Sequence, residues 1–299
     1  MATIPGELVR LILVEAAHIA INSCRPWATE LALVSRDVYQ LIHPIIYSRL
    51  VLTNVNWPVI QILCSEESCT HVFAAIRQLV FAIDMSMIGD IPDRRRSISA
   101  LVDRLDIARL IAVDGRDLAI HLLASRPGFA PRELALDYLA LNGLKVVFDL
   151  RPPALASVTH LRILAAYLLE ADHSPGASRL VDILLDRLHV LTHLALDITR
   201  SETFDNQRPI LRDAMESLLR CDRIMLIVCR FVVLHESPES PEWTATIQTC
   251  RSMRDARIRI YVDKEEKASD FFGSKLRGKR ANAGLSIWDE GEPTLALDA

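Results

Sequence analysis

Apolar positions fall into two textures along this chain. Up to about Leu52 they recur at helical spacing; from about Arg77 they gather into short runs separated by helical stretches. The first segment, "IPGELVRLILVEAAHIAI", sets Pro5 at the first helical turn, where its missing N–H is harmless, and Glu7 just after it. Leu8, Leu11, Ile12, Ala16 and Ile19 share one helical face, while Val9, Leu13, Ala17 and Ala20 share another. A helix that is apolar on two sides is expected to be buried on two sides. Pro26 in "CRPWATE" marks a break and a new helix start. "ATELALVSRDVYQLI" continues as one or two short helices, which Pro44 is expected to stop. "IIYSRLVLTN" closes this unit, and Asn54 and Pro58 mark a connector.

The later runs read as strands: "RQLVFAI" (77–83), "RELALD" (132–137), "THLRIL" (159–164), "THLALDI" (192–198), "RIMLIV" (223–228), "ARIRIYV" (256–262) and, more weakly, "ARLIAV" (108–113). Their wording repeats. Thr159-His160-Leu161 matches Thr192-His193-Leu194, and "LALD" occurs at 134–137 and at 194–197. The runs recur at intervals of about 24 to 34 residues, the range of stacked repeats. Between them, Leu180, Ile183, Leu184 and Leu188, and then Leu211, Met215, Leu218 and Leu219, follow helical spacing. A strand-then-helix unit cannot bury both faces alone, so neighbours must stack. The expected fold is α/β: a small orthogonal helical unit over 1–53, a helical connector over 54–76 and an irregular α/β solenoid over 77–263. A partly disordered tail, with a short helix near 264–275, completes the chain over 264–299.

Composition narrows the function classes. About half of the 299 residues are apolar, so a large core is expected and wholesale disorder is not. The net charge of -4 gives no reason to expect a nucleic acid or a membrane surface as partner. No apolar run reaches the roughly 18 residues of a spanning helix, since "LVRLILVEAAHIAI" is interrupted by Arg10, Glu15 and His18. Glu7, Arg10 and Glu15 stand where the apolar part of a signal peptide would be, so none is expected. The six cysteines are scattered without a CxxC. Free thiols in a reducing compartment, cytoplasmic or nuclear, follow as the expectation.

Motifs for chemistry are sparse. His189 and His193 are four apart, a spacing that suits a metal pair on a helix, but they straddle an expected helix end and strand start. His160 fills the same repeat position as His193, so repetition accounts for both. There is no G-x-S-x-G, no phosphate-binding loop and no G-x-G-x-x-G, and ten glycines leave few places for one. A spatial Ser-His-Asp arrangement stays open. The basic runs Arg94-Arg95-Arg96 and Lys275 to Arg280 read as solvated loop and tail. No metal, cofactor or catalytic residue is expected.

The N-terminal motifs resemble the F-box. The residues that carry the resemblance are Ile4-Pro5-Gly6-Glu7-Leu8 with Leu11-Ile12-Leu13, then Leu31-Ala32-Leu33-Val34-Ser35-Arg36, then Ile42-His43-Pro44-Ile45-Ile46-Tyr47. An F-box followed by irregular leucine-rich repeats is similar in style to the expanded F-box-like proteins of basidiomycete fungi. The resemblance implies docking on a Skp-family adaptor, which bridges to a cullin and a RING subunit in an SCF-type ubiquitin ligase. It implies that Pro5, Leu8, Ile12, Leu33, Val34 and Ser35 lie at or near the adaptor contact, and that the repeats bind an unidentified target protein. Core packing is the plainer expectation for Leu13 and Val38. If Leu31, Val34 and Val38 look inward at i, i+3 and i+7, Leu33 looks elsewhere. Two other classes stay open: an interaction scaffold whose F-box-like unit no longer binds the adaptor, and an enzyme on an unfamiliar fold.

Overall fold

The computed structural model describes residues 5–23, 25–53, 55–82, 98–105, 107–112, 130–137, 153–164, 181, 184–199, 207–232, 241–263, 288 and 292–293. The chain opens with three helices, α1 (Gly6–Ser23), α2 (Arg25–Ala32) and α3 (Arg36–Ile46), packed on one another. Their core is separate from the rest. It joins Ala17, Ala28, Ala32, Ile42, Ile45 and Ile46, with Val14, Leu31, Val38 and Leu41 against it. Alanines on α1 and α2 let the backbones approach, and the isoleucines of α3 fill the space they leave.

Two local expectations are corrected here. Pro44 does not stop the helix but lies inside the last turn of α3. Only Ile45 and Ile46 follow it, and burying both side chains offsets the backbone bond that proline removes. The end is closed by the Tyr47 N–H donating to His43 O at 3.1 Å and the Ser48 hydroxyl donating to Ile45 O at 2.7 Å. Nor is α1 buried on two sides. Val14 and Ala17 meet the neighbouring helices, whereas Leu8, Val9, Leu11 and Ile12 remain exposed. Three helices have one interior, so among the described side chains of α1 the N-terminal apolar ones are left uncovered within the unit.

Among the described residues, the rest of the fold is α/β, built on a nine-stranded sheet whose spatial order is its sequence order. The strands are β1 (Arg49–Thr53), β2 (Gln78–Ala82), β3 (Arg109–Ala112), β4 (Glu133–Asp137), β5 (His160–Leu164), β6 (His193–Thr199), β7 (Leu226–Val232), β8 (Ile258–Asp263) and β9 (Glu292–Pro293). Neighbours from β1 to β8 pair in parallel, and β9 pairs antiparallel with β8. Parallel neighbours need crossovers. Among the described residues, these crossovers carry α4 (Trp57–Ser65) with α5 (Thr70–Ala75), then α6 (Gln207–Leu219), then α7 (Pro241–Ser252). One continuous core lies between these helices and the sheet, and includes Leu52, Trp57, Phe73, Leu79, Leu134, Leu161, Leu194, Met215, Phe231 and Trp243. Phe231 meets Trp243 edge-to-face at 5.8 Å.

Every strand-like run of the sequence overlaps a strand, with one start displaced. β7 begins at Leu226 rather than Arg223, because Ile224 closes a turn onto Cys221 O and Met225 points to solvent. Residues 49–53, expected to close the helical unit, are instead the first strand of the sheet. β1 pairs Arg49 with Gln78, and Leu52 is buried in the sheet's core. The segment 54–76 is helical as expected but is no spacer, since Trp57 and Phe73 enter that same core.

Strand starts repeat one device. The carbonyl of the residue before a strand accepts two N–H groups from the start of the next repeat. Arg132 O takes those of Thr159 and His160, Thr159 O those of Thr192 and His193, and Thr192 O those of Met225 and Leu226. The start of β8 is tied by Arg257, whose guanidinium donates to Leu219 O at 2.7 Å, at the end of α6, and to Asp255. That hydrogen-bonded guanidinium holds the Asp255 carboxyl below its usual range.

Candidate functional site

Two surfaces stand out, one on each part of the molecule. On the helical unit, α2 ends at Ala32 and α3 begins at Arg36, so the "LxxVSR" stretch is a helix end, a turn and a new start. The Leu33 N–H donates to Glu30 O and the Val34 N–H to Leu31 O as the chain leaves α2. Ser35 has extended backbone, and its hydroxyl accepts the Val38 N–H at 3.2 Å. It is the N-cap of α3. The break turns both Leu33 and Val34 outward, with 78% and 70% of their surface exposed. Val34 therefore does not share the inward face of Leu31 and Val38, because those three residues do not lie on one continuous helix.

The sequence-picked residues of α1 behave alike. Leu8 and Ile12 are 50% and 61% exposed, and Leu11 joins them at 64%. Pro5 is exposed too, and its carbonyl accepts the N–H groups of Leu8 and Val9. Singly exposed leucines are ordinary, but Leu8, Val9, Leu11, Ile12, Leu33 and Val34 exposed together on one small helical unit are not.

The second surface is the sheet face opposite the helices. Alternation sends Leu161, Ile163, Leu194, Leu196, Ile227 and Cys229 to the core and their neighbours to this face. Register then lines up rows across the strands. One row runs Arg49, Gln78, Arg109, Glu133, His160, His193, Leu226. The next runs Val51, Val80, Ile111, Ala135, Arg162, Ala195, Val228, Arg259.

Both rows hold organised polar groups. The rings of His160 and His193 stack at 4.1 Å. Each Nδ1 lies within 2.9 Å of the preceding threonine hydroxyl, which accounts for the repeated Thr-His pair in the sequence. Burial holds the His193 imidazole below its usual pKa and so favours the neutral ring. Deeper on the face, Arg162 grips Asp197 with two hydrogen bonds, at 3.2 and 2.7 Å, and Arg230 approaches the same carboxylate at 3.6 Å. All three side chains are buried. Arg162 sits in register between Ala135 and Ala195, so two small neighbours make room for its guanidinium.

Trp288 covers this face. Its ring stands edge-on to His160 and His193, at 5.0 and 5.8 Å, and lies against Ala195, Val228 and Leu226. Its indole N–H donates to Glu133 Oε1 at 3.3 Å, and its carbonyl accepts from Arg259 at 3.0 Å. Trp288 and β9 thus place part of the expected partly disordered tail against the sheet; Lys275 to Arg280 and the expected short helix near 264–275 lie outside the described residues. Sequence reading missed Arg162, Asp197, Arg230 and Trp288. The available signal was a single charge at an alternate position of three otherwise apolar strands.

His189 is exposed in the turn before β6 and does not join His193 on one helix. Among the described residues, no group of three His, Cys, Asp or Glu side chains could hold a metal ion. Among the described residues, no helix is long and apolar enough to cross a membrane. Cys229 and Cys250 are buried free thiols, and the contact between them together with burial pushes the Cys229 thiol well up, away from the reactive thiolate. No family model, curated protein or solved structure matches the chain.

Proposed function

We propose that this protein is a substrate-recruiting adaptor of an SCF-type cullin–RING ubiquitin ligase. The helical unit α1–α3 is read as an F-box that docks on a Skp-family subunit, and the strand–helix domain as a degenerate leucine-rich-repeat-like solenoid that binds a target protein. The observation that carries the reading is the outward display of Leu8, Leu11, Ile12, Leu33 and Val34 on a unit that already has a private core. A folded unit gains nothing internally from those side chains, whereas a partner can bury them. The in-order parallel sheet supports the solenoid half of the reading, since consecutive repeats that stack only on their neighbours produce this topology. No catalysis is assigned to the chain itself.

The test is a titration of purified Skp-family adaptor against the whole chain and against a Leu8→Ser/Ile12→Ser variant. Binding by the first and not by the second supports the reading. An unaltered chain that ignores the adaptor leaves the scaffold reading in its place.

A further inference from the structure

The face opposite the helices is already occupied by a piece of the chain's own C-terminal segment, and that piece defines what the face accepts. We propose that this face binds an extended peptide bearing an aromatic residue followed by acidic ones, with the segment around Trp288 as its intramolecular placeholder. The proposal deepens the target-binding half of the function proposed above and rests on that reading only for treating the peptide as a target.

The argument has three parts. First, the contact is anchored on both sides of the indole. The ring covers the stacked imidazoles of His160 and His193 and the small floor of Ala195 and Val228. Its N–H and its backbone carbonyl are each matched, by Glu133 and Arg259. A flat aromatic body with a polar edge fits such a site better than an aliphatic side chain. Second, the backbone beyond Trp288 joins the sheet. Glu292 and Pro293 pair antiparallel with Ile260 and Arg259, which is how an extended ligand adds to a sheet edge. Third, Arg259 offers a cation beside Trp288, whereas Arg162 is already paired with Asp197. The sequence that follows Trp288 is Asp289-Glu290-Gly291-Glu292, so acidic residues after the aromatic one are the complement of that cation.

A tethered segment competes at an effective concentration on the order of millimolar. A free peptide with an affinity of about 10 μM would therefore be held back about a hundredfold by the closed chain. The probe is a fluorescent peptide of residues 284–299, followed by polarisation against the full chain and against full-length Trp288→Ala. We expect the Trp288→Ala chain to bind at least about tenfold more tightly than the unaltered one. A peptide carrying Trp288→Ala, or Asp289→Asn with Glu290→Gln, should bind the opened chain at least about tenfold more weakly. Should Trp288→Ala lose cooperative melting, Trp288→Leu keeps an apolar cover while removing the indole N–H, and serves in its place. Equal peptide affinity for the open and unaltered chains, or none for the open chain, overturns the proposal. Adaptor titration of the same samples reads the helical unit separately, so failure of one reading is distinguishable from failure of the other.

Discussion

Replacing Leu33 by alanine should weaken adaptor binding and leave the free protein's stability nearly unchanged. Leu33 keeps 78% of its surface in solvent, so only about a fifth is buried within the chain. Full burial of a leucine side chain is worth roughly 1.5–3 kcal/mol, which puts the fold's share at about 0.3–0.7 kcal/mol and leaves about 1.2–2.3 kcal/mol for a partner to gain. At about 1.4 kcal/mol per decade, truncation should weaken binding by about sevenfold to fortyfold. Ile42→Ala is the matched contrast. Ile42 is wholly buried in the small core, and its truncation should cost about 2–5 kcal/mol of stability through the lost contacts and the cavity. Calorimetric titration with purified adaptor, run beside melting curves of both variants, separates the two effects. If Leu33→Ala melts early yet binds normally once folded, the side chain belongs to the private core. If it neither melts early nor binds less, the adaptor does not use this surface.

Three further outcomes follow from the sheet and its edges. Leu194→Asp places an unpaired charge in the main core, where Leu194 is buried, and should lower stability by about 3 kcal/mol or more in denaturant unfolding; near-unchanged unfolding would refute the strand's burial. Asp197→Ala removes the buried carboxylate that the guanidiniums of Arg162 and Arg230 share and should cost about 3–5 kcal/mol by the same measurement, with a loss under about 1 kcal/mol counting against the triad's structural role. His43 is held below its ordinary pKa chiefly by burial, then by its neighbour His71, and His193 by burial. The unfolded chain therefore takes up these protons first, so the stability they support is complete above about pH 6.5 and is lost as pH falls through the folded values. Melting temperature should drop on acidification from pH 7 to 5, with a shallower slope in His193→Gln, and an identical slope would remove His193 from the account.

Short apolar runs and their repetition located strands β2 to β8, because parallel strands buried on both faces carry nearly continuous apolar residues whatever their neighbours are. They also separated the helical unit from the repeats, while the resemblance carried by "IPGEL" and "LxxVSR" singled out the side chains that turn out to face solvent. It could not say why they do. Leu33 and Val34 point outward because Ser35 caps a new helix and breaks the face they would otherwise share with Leu31. Leu8 and Ile12 do so because three short helices enclose only one interior. Helical spacing states which residues share a face, not whether anything covers it. The same limit placed β1 in the wrong unit, since Leu52 looks alike beside Ile46 or beside Leu79 until strand pairing with β2 decides. The charged sites were further out of reach. Arg162, Asp197 and Arg230 are separated by more than thirty residues at each step and meet only because consecutive strands align in register. Trp288 reaches His160 and His193 from the far end of the chain, and no local pattern encodes a contact across that distance.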